Sequence, residues 1–331
     1  MIILKESYVG LELSTQLIIK EALKRGIEID VLDMDDNFIR LKKGNKVEYV
    51  KQATKTSADT YIAPLIMENK EVTKMVLKEH GINVPMSVTF KHVDDAMEKY
   101  PDFVGKDIVI KPKSTNFGEG VLILKDLKSK EDYNNAIVHA LKYDNSVMIE
   151  EFIEGKEYRF LVIGEEVVAI LNRDPANVVG NGVQNIEELV HEKNKSPQRG
   201  KGHVTPLEKI IIGLIEENYL ATQDKDMYYV PNNGEIVYLR ENSNISTGGD
   251  SIDFTDEILD EYKIIAVNSA KAVGAKICGA DIIIKDVKAK PDKNNHSIIE
   301  LNFNPILYAH DFPYKGQNRY VERKLLDLLG F

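Results

Sequence analysis

Apolar and polar positions along this chain follow two periods. From Ser14 to Arg25 (STQLIIKEALKR) apolar side chains recur at helical spacing. This predicts an amphipathic helix with Ser14 as N-cap and Gly26 as stop. IEIDVLD then alternates with period two, which predicts a strand, so residues 1–65 read as a small α/β unit. Residues 66–81 (IMENKEVTKMVLKEHG) predict a helix ended by Gly81, with Pro85 blocking its continuation. DIVIKPK (107–113) and VLIL (121–124) predict strands around a glycine-bearing turn, STNFGEG, and residues 131–142 predict another helix.

The C-terminal half is richer in strands. VMIEEFI, EYRFLVIGEEVVAILNR, MYYVPNNGEIVYLRE and CGADIIIKD…HSIIELNFNP are strand runs broken by turn residues. Residues 257–274 predict a helix stopped by Gly274. Residues 174–206 read as a polar connection with a short helix inside, and long polar loops are often functional. No internal repeat or low-complexity segment interrupts this order. The mixture predicts an α+β protein divided at about 1–65, 66–145 and 146–331.

Composition narrows the function. The 331 residues are enough for two or three packed units, and 43% hydrophobic with 29% charged residues describes an ordinary globular chain. A net charge of −10 argues against a nucleic-acid partner, because phosphate backbones require clustered Lys and Arg. It leaves room for a local basic pocket. A single cysteine, Cys278, rules out an intrachain disulfide and a multi-cysteine metal site, and fits a reducing compartment. No apolar run approaches 18 residues, and MIILKESYVG has no signal-peptide pattern, so a cytoplasmic protein without a membrane partner is expected.

Three stretches can carry chemistry. In IIELNFNP, Glu300 and Asn302 are two apart on a strand and share a face, and Asp281 in GADIII can reach that face across a hairpin. Two carboxylates and an amide oxygen are hard ligands suited to Mg²⁺, although each residue alone also reads as part of a solvated strand face. Next, Lys111 in VIKPK borders the glycine turn, whose backbone N–H groups can cradle phosphate oxygens. An ordinary hairpin with a snorkelling lysine explains the same pattern. G-x-x-x-x-G-K-[ST] and G-x-G-x-x-G are both absent. Finally, EEFIEGKEYRF crowds Glu150, Glu151, Glu154 and Glu157 into a strand–turn–strand, which suits either a surface hairpin or a backbone edge beside an adenine with a carboxylate for ribose hydroxyls.

MENK, VIKPK…NFGEG, EEFIEGKEYRF and GADIII…ELNFNP, in that order, resemble the ATP-grasp superfamily. KQATKTSADTYIAPLIMENK, VIKPKSTNFGEG, PANVVGNG, YLRENSNISTGGDSID, GAKICGAD and NFNP resemble, over nearly the whole chain, the ATP-grasp half of the bifunctional glutamate–cysteine ligase/glutathione synthetase. The STGGD-type loop is also similar to that of cyanophycin synthetase. The resemblance implies an ATP-grasp fold, two α+β subdomains sandwiching ATP. It implies that Lys70, Lys111, Lys113, Ser114, Gly118 and Gly120 contact or cover ATP phosphates, that Glu150, Glu151 and Ile153 face adenine, and that Glu157 faces ribose. Asp281, Glu300 and Asn302 would hold two Mg²⁺, or Mn²⁺ in its place. Arg240, Asn244, Ser246, Thr247 and Gly248 would sit at the transferring phosphoryl group. Related ligases commonly place an Arg two positions before the first metal-binding Asp; here that position is Gly279, so Arg240 or Arg173 is expected to supply the charge. The implied reaction is ADP-forming amide synthesis, with γ-glutamylcysteine and glycine as substrates and glutathione as product, by a monomer or homodimer. A separate glutamate–cysteine ligase would supply the acid. A cyanophycin-like or protein-tail-modifying ligase and a non-catalytic ATP-binding module are the alternatives.

Overall fold

The computed structural model describes residues 6–114, 120–202 and 205–331, with side chains from Tyr8 onward. Its centre is a five-stranded antiparallel sheet in the order Asp250–Asp253, Glu166–Asp174, Lys156–Ile163, Ile277–Ile284, His296–Asn302. The strand ICGADIII is buried at every position but one, because both faces of this sheet are covered. One face packs Leu161, Ile163, Ala169 and Ile277 against Ile18 and Ile19 of the Leu13–Lys24 helix and Leu325 and Leu326 of the Val321–Leu328 helix. The other packs Tyr158, Phe160, Val162 and Ile170 against Tyr262 and Ala266 of the Asp260–Ala272 helix. Asp281 lies inside that apolar run, and a carboxylate so placed must be paired.

A second antiparallel sheet has the order Ser87–Phe90, Val147–Glu151, Ile108–Pro112, Leu122–Leu124. The Lys130–Ala140 helix covers it, with Tyr133 and Ile137 set on Ile108, Ile110 and Ile149. The N-terminal unit is a helix and a three-stranded meander, Glu28–Asp33, Phe38–Lys43 and Lys46–Lys51. Its core is continuous with that of the five-stranded sheet.

Four local expectations are corrected. Ser14 is not an N-cap: it lies inside the helix, and its Oγ accepts the N–H groups of Leu307 (3.1 Å) and Tyr308 (3.4 Å) from the opposite end of the chain. The helix expected over 66–81 is two helices, Ile62–Glu68 and Lys70–Glu79. They break at Asn69, whose extended backbone and side chain, accepting from Val72 N, start the second. Residues 174–206 are more than a connection. With residues up to 240 they form a packed insert: Asn177–Val179 pairs with Ile236–Tyr238, Arg199–Gly200 pairs with Leu207–Glu208, and Val178, Val190, Ile210, Leu220 and Val237 share a core. The run from Met227 is strand only at Ile236–Tyr238, since the carbonyls of Met227 and Tyr229 accept the first N–H groups of the Ile186–Lys193 helix instead of a ladder.

Candidate functional site

The Lys70–Glu79 helix stands between the two larger sheets and sends a lysine to each. Lys70 and Lys74 are four apart, hence on one face. Lys70 Nζ lies 3.5 Å from Glu300 Oε1 of the five-stranded sheet, and Lys74 pairs closely with Glu150 of the four-stranded sheet. Glu150 is buried and its other oxygen takes Lys111 Nζ at 2.6 Å, so one carboxylate is shared by two ammonium groups. Burial opposes its ionisation, but Lys111 and Lys74 outweigh this and hold the carboxyl below the usual range. Burial depresses Lys74, only partly offset by Glu150.

Other positions expected at phosphate line the same sheet end. Lys113 Nζ is 2.8 Å from Glu71, and Ser114 N donates to Asp144 (2.6 Å). Gly120 has φ +72° and a Cβ there would sit 2.7 Å from Pro112 Cγ, so only glycine fits. Gly118 lies outside the described residues. Glu151 is exposed with its N–H on Met86 O (2.9 Å), and Ile153 is half-buried.

On the five-stranded sheet Asp281 faces Arg159 on one neighbouring strand and Glu300 on the other. Arg159 grips its carboxylate with Nε and Nη2, Arg173 adds Nη2 at 2.9 Å, and Asn302 Nδ2 donates at 3.3 Å. Burial would raise the Asp281 carboxyl, yet Arg159 and Arg173 carry it below its ordinary value. Arg173 also pairs with Glu157, whose second oxygen accepts Ser243 Oγ at 2.5 Å. Of the two residues expected to replace an arginine at Gly279, Arg173 is at the carboxylate; Arg240 instead pairs with Glu216. Arg159 completes the arrangement, and Gly279 is what admits it: a Cβ at 279 would lie 3.0 Å from Arg159 Cδ and 3.2 Å from Pro305 Cβ.

The loop after Arg240 is a turn of 3₁₀ helix, Ile245–Thr247, started by Asn244, whose side chain accepts Ser246 N (3.1 Å). Thr247 Oγ1 donates to Asn242 (3.0 Å). Gly248 ends it at φ +94°, packed on Ile210 of the insert.

Hard oxygen donors are therefore present. Asp281 keeps a lone pair on Oδ1 beyond its arginine contacts, and Asn302, donating through its nitrogen, leaves its amide oxygen to a cation beside the part-exposed Glu300. Among the described residues no cluster of three acidic, His or Cys side chains forms a metal cage, so a cation here would be held by two carboxylates and an amide. Sequence reasoning missed Arg159, Lys74 and Glu216. Arg159 left one signal, a charge at the head of the apolar run FLVI and two residues beyond Glu157; Lys74 left another, its four-residue spacing from Lys70.

Known proteins resemble this chain in sequence and fold. Residues 10–62 match the ATP-grasp-like domain family, and residues 68–182 match the ATP-grasp (A) domain of phosphoribosylglycinamide synthetase. The chain is 58% identical over 322 residues to the glutathione biosynthesis bifunctional protein GshAB of Clostridium perfringens, covering 97% of this chain and 41% of the relative. Identity to the same protein of Listeria innocua is 52% over 319 residues, 96% of this chain and 41% of the relative. The chain thus spans less than half the length of these relatives. A crystal structure of a bifunctional glutathione synthetase from Pasteurella multocida superposes with a TM-score of 0.78 at 45% identity, covering 98% of this chain and 45% of that one. The chain has the ATP-grasp fold and, over nearly its whole length, resembles the glutathione synthetase half of the bifunctional glutathione-biosynthesis proteins.

Proposed function

We propose that this chain joins a carboxylic acid to an amine at the expense of ATP, with γ-glutamylcysteine as acid, glycine as amine and glutathione as product. The observation that carries the proposal is the pairing of two charge clusters through one helix, Lys74–Glu150–Lys111 on one sheet and Asp281–Arg159–Arg173 with Glu300 and Asn302 on the other. A basic pocket on one side and hard oxygens on the other suit a nucleotide triphosphate whose charge is shared with a divalent cation. Asp281, Glu300 and Asn302 would hold Mg²⁺, or Mn²⁺ in its place, which neutralises charge on the phosphate oxygens.

A substrate carboxylate oxygen attacks the γ-phosphorus and ADP leaves, giving an acyl phosphate. The amine nitrogen then attacks the acyl carbon, phosphate departs, and the nitrogen gives up a proton. Arg240 and the Asn244–Gly248 turn would hold the acyl phosphate, the arginine as a planar fork and the turn through its N–H and hydroxyl donors.

The test is incubation with ATP, Mg²⁺, γ-glutamylcysteine and glycine, with nucleotide, phosphate and product mass measured. One ADP and one phosphate per glutathione are expected. Alanine in place of glycine should be used slowly, since excluding one methyl is worth only about 1–3 kcal/mol. AMP would refute the mechanism, and product from a different acid alone would refute glutathione.

A further inference from the structure

The geometry points to Glu216 as a positioning residue that aims Arg240 at the acid substrate, holding its guanidinium by Nε and leaving both terminal amino groups to grip a carboxylate or acyl phosphate. The inference rests on the ligase reading above and assigns a residue outside the motifs that suggested it.

Arg240 follows the Ile236–Tyr238 strand by two residues, its side chain only 17% exposed. Its Nε donates to Glu216 Oε1, and among the described residues Nη1 and Nη2 meet no protein acceptor. The other buried arginines differ. Arg159 spends Nε and Nη2 on Asp281. Arg199 spends Nη1 on the carbonyls of Glu208 (2.7 Å) and Gly248 (3.0 Å) and Nη2 on Asp250. A guanidinium held through Nε alone keeps the paired N–H groups that match a carboxylate or phosphoryl group in two parallel bonds.

Glu216 is itself fixed. Its side chain is 3% exposed, and Oε2 accepts Gly213 N at 3.0 Å at the start of the Leu214–Ala221 helix. Leu220 of that helix shares a core with Leu239, the residue before Arg240. The carboxylate is thus bound to backbone on one side and to Arg240 on the other. An ion pair this buried does little for stability compared with apolar side chains of the same volume. Its use here is direction. Ile210, six residues before Glu216, packs on Gly248, and Ser243, three residues after Arg240, donates to Glu157 beside Arg173. The free fork of Arg240 therefore belongs to the segment that joins the STGGD loop to the Asp281 cluster.

The test is steady-state ADP release by Glu216→Ala, Glu216→Gln, Arg240→Lys, Glu300→Gln and the double variant Glu216→Ala/Arg240→Lys, with γ-glutamylcysteine varied and thermal unfolding recorded. Glu216→Ala should raise the KM for γ-glutamylcysteine and lower kcat, by about 10- to 100-fold in kcat/KM, as expected for a misplaced binding group, with the KM for ATP unchanged. Glu216→Gln keeps an acceptor for Nε and the shape of the side chain, and should recover most of the loss. It also decides the matter if the alanine variant does not fold: a Gln variant as impaired as Arg240→Lys overturns the inference. The double variant should be no worse than Arg240→Lys alone, because Glu216 acts through Arg240. Losses that multiply, or wild-type kinetics in Glu216→Ala, overturn it. An impaired Arg240→Lys with an unaffected Glu216→Ala rejects the positioning role and leaves the ligase reading standing. An inactive Glu300→Gln beside an unaffected Arg240→Lys rejects Arg240 and Glu216 together. Full activity in Glu300→Gln instead removes the metal assignment within the ligase reading itself.

Discussion

Asp281 and Asp250 are both buried aspartates, both on strands of the five-stranded sheet, and both carry two cations. Around Asp250 every direction is closed. Arg199 is fully enclosed and also holds two carbonyls, Lys193 Nζ donates to Asn177 O (2.9 Å), and the Tyr314 ring covers both cations. This knot ties the insert to the strand after the STGGD loop. Around Asp281 the same motif stays open on one side, where Glu300 is 30% exposed, Asn302 is half-buried and Lys70 approaches from a different element. Similar charges fasten the structure where they are buried on every side and can do chemistry where, as at Glu300 and Asn302, oxygens stay partly exposed to a ligand.

The largest effect that would break this comparison is at the open cluster. Glu300→Gln or Asn302→Ala should cost about a thousandfold or more in turnover, the scale of several kcal/mol of phosphoryl-transfer stabilisation, with the melting temperature unchanged. Full activity in both variants would leave the open cluster without its role.

The closed cluster should respond the other way. Asp250→Asn leaves Arg199 and Lys193 buried without a counter-charge, which costs about 3–5 kcal/mol. Thermal unfolding should show a clear fall in its midpoint, well beyond that of Glu300→Gln. Equal midpoints would contradict the distinction.

Asp311 sharpens the comparison as a buried aspartate that meets no cation among the described residues. It faces Glu322, and burial followed by that carboxyl pushes it up to about 8. The folded protein therefore holds a proton on Asp311 that the unfolded chain, with a value near 3.8, releases. Stability is unaffected below about pH 4 and falls as pH rises from there through about 8. Asp311→Asn keeps an acceptor for Val321 N (3.0 Å) and removes the acid. It should be more stable than the parent by on the order of 1–3 kcal/mol near neutrality, with a gain that grows from pH 5 to 8 and then levels. The neighbouring His310, pushed down to about 3 by burial, destabilises both proteins alike as pH falls below 6.5. A pH-independent gain would contradict the assignment of Asp311.

Strands such as those in IEIDVLD and CGADIIIKD were legible because they alternate in large part or run nearly continuously apolar, whereas Phe38–Lys43, Lys46–Lys51, Ser87–Phe90 and Asp250–Asp253 were not anticipated. The insert was not, since its core gathers Val178, Val190, Ile210, Leu220 and Val237, residues too far apart to make a local pattern. Asn69 divided a helix whose periodicity runs unbroken through it, by capping chemistry that outweighs the pattern. At the site, Lys111, Glu150, Asp281 and Glu300 could be picked out because charge within apolar strands is conspicuous, Asn302 by its two-residue spacing from Glu300, and Lys70, which starts a helix, only through the resemblance carried by MENK. Arg159 and Lys74 left faint signals and Glu216 none, and all three take their roles from the carboxylate or guanidinium that folding sets against them.

The central claim is that an acid substrate is phosphorylated on its carboxylate before the amine attacks it. γ-Glutamylcysteine carrying ¹⁸O in the carboxylate that becomes the amide, turned over with glycine, ATP and Mg²⁺, tests it directly through the mass of the released phosphate. Phosphate bearing one ¹⁸O for each glutathione formed is the predicted result. Unlabelled phosphate alongside labelled water or labelled AMP would contradict it.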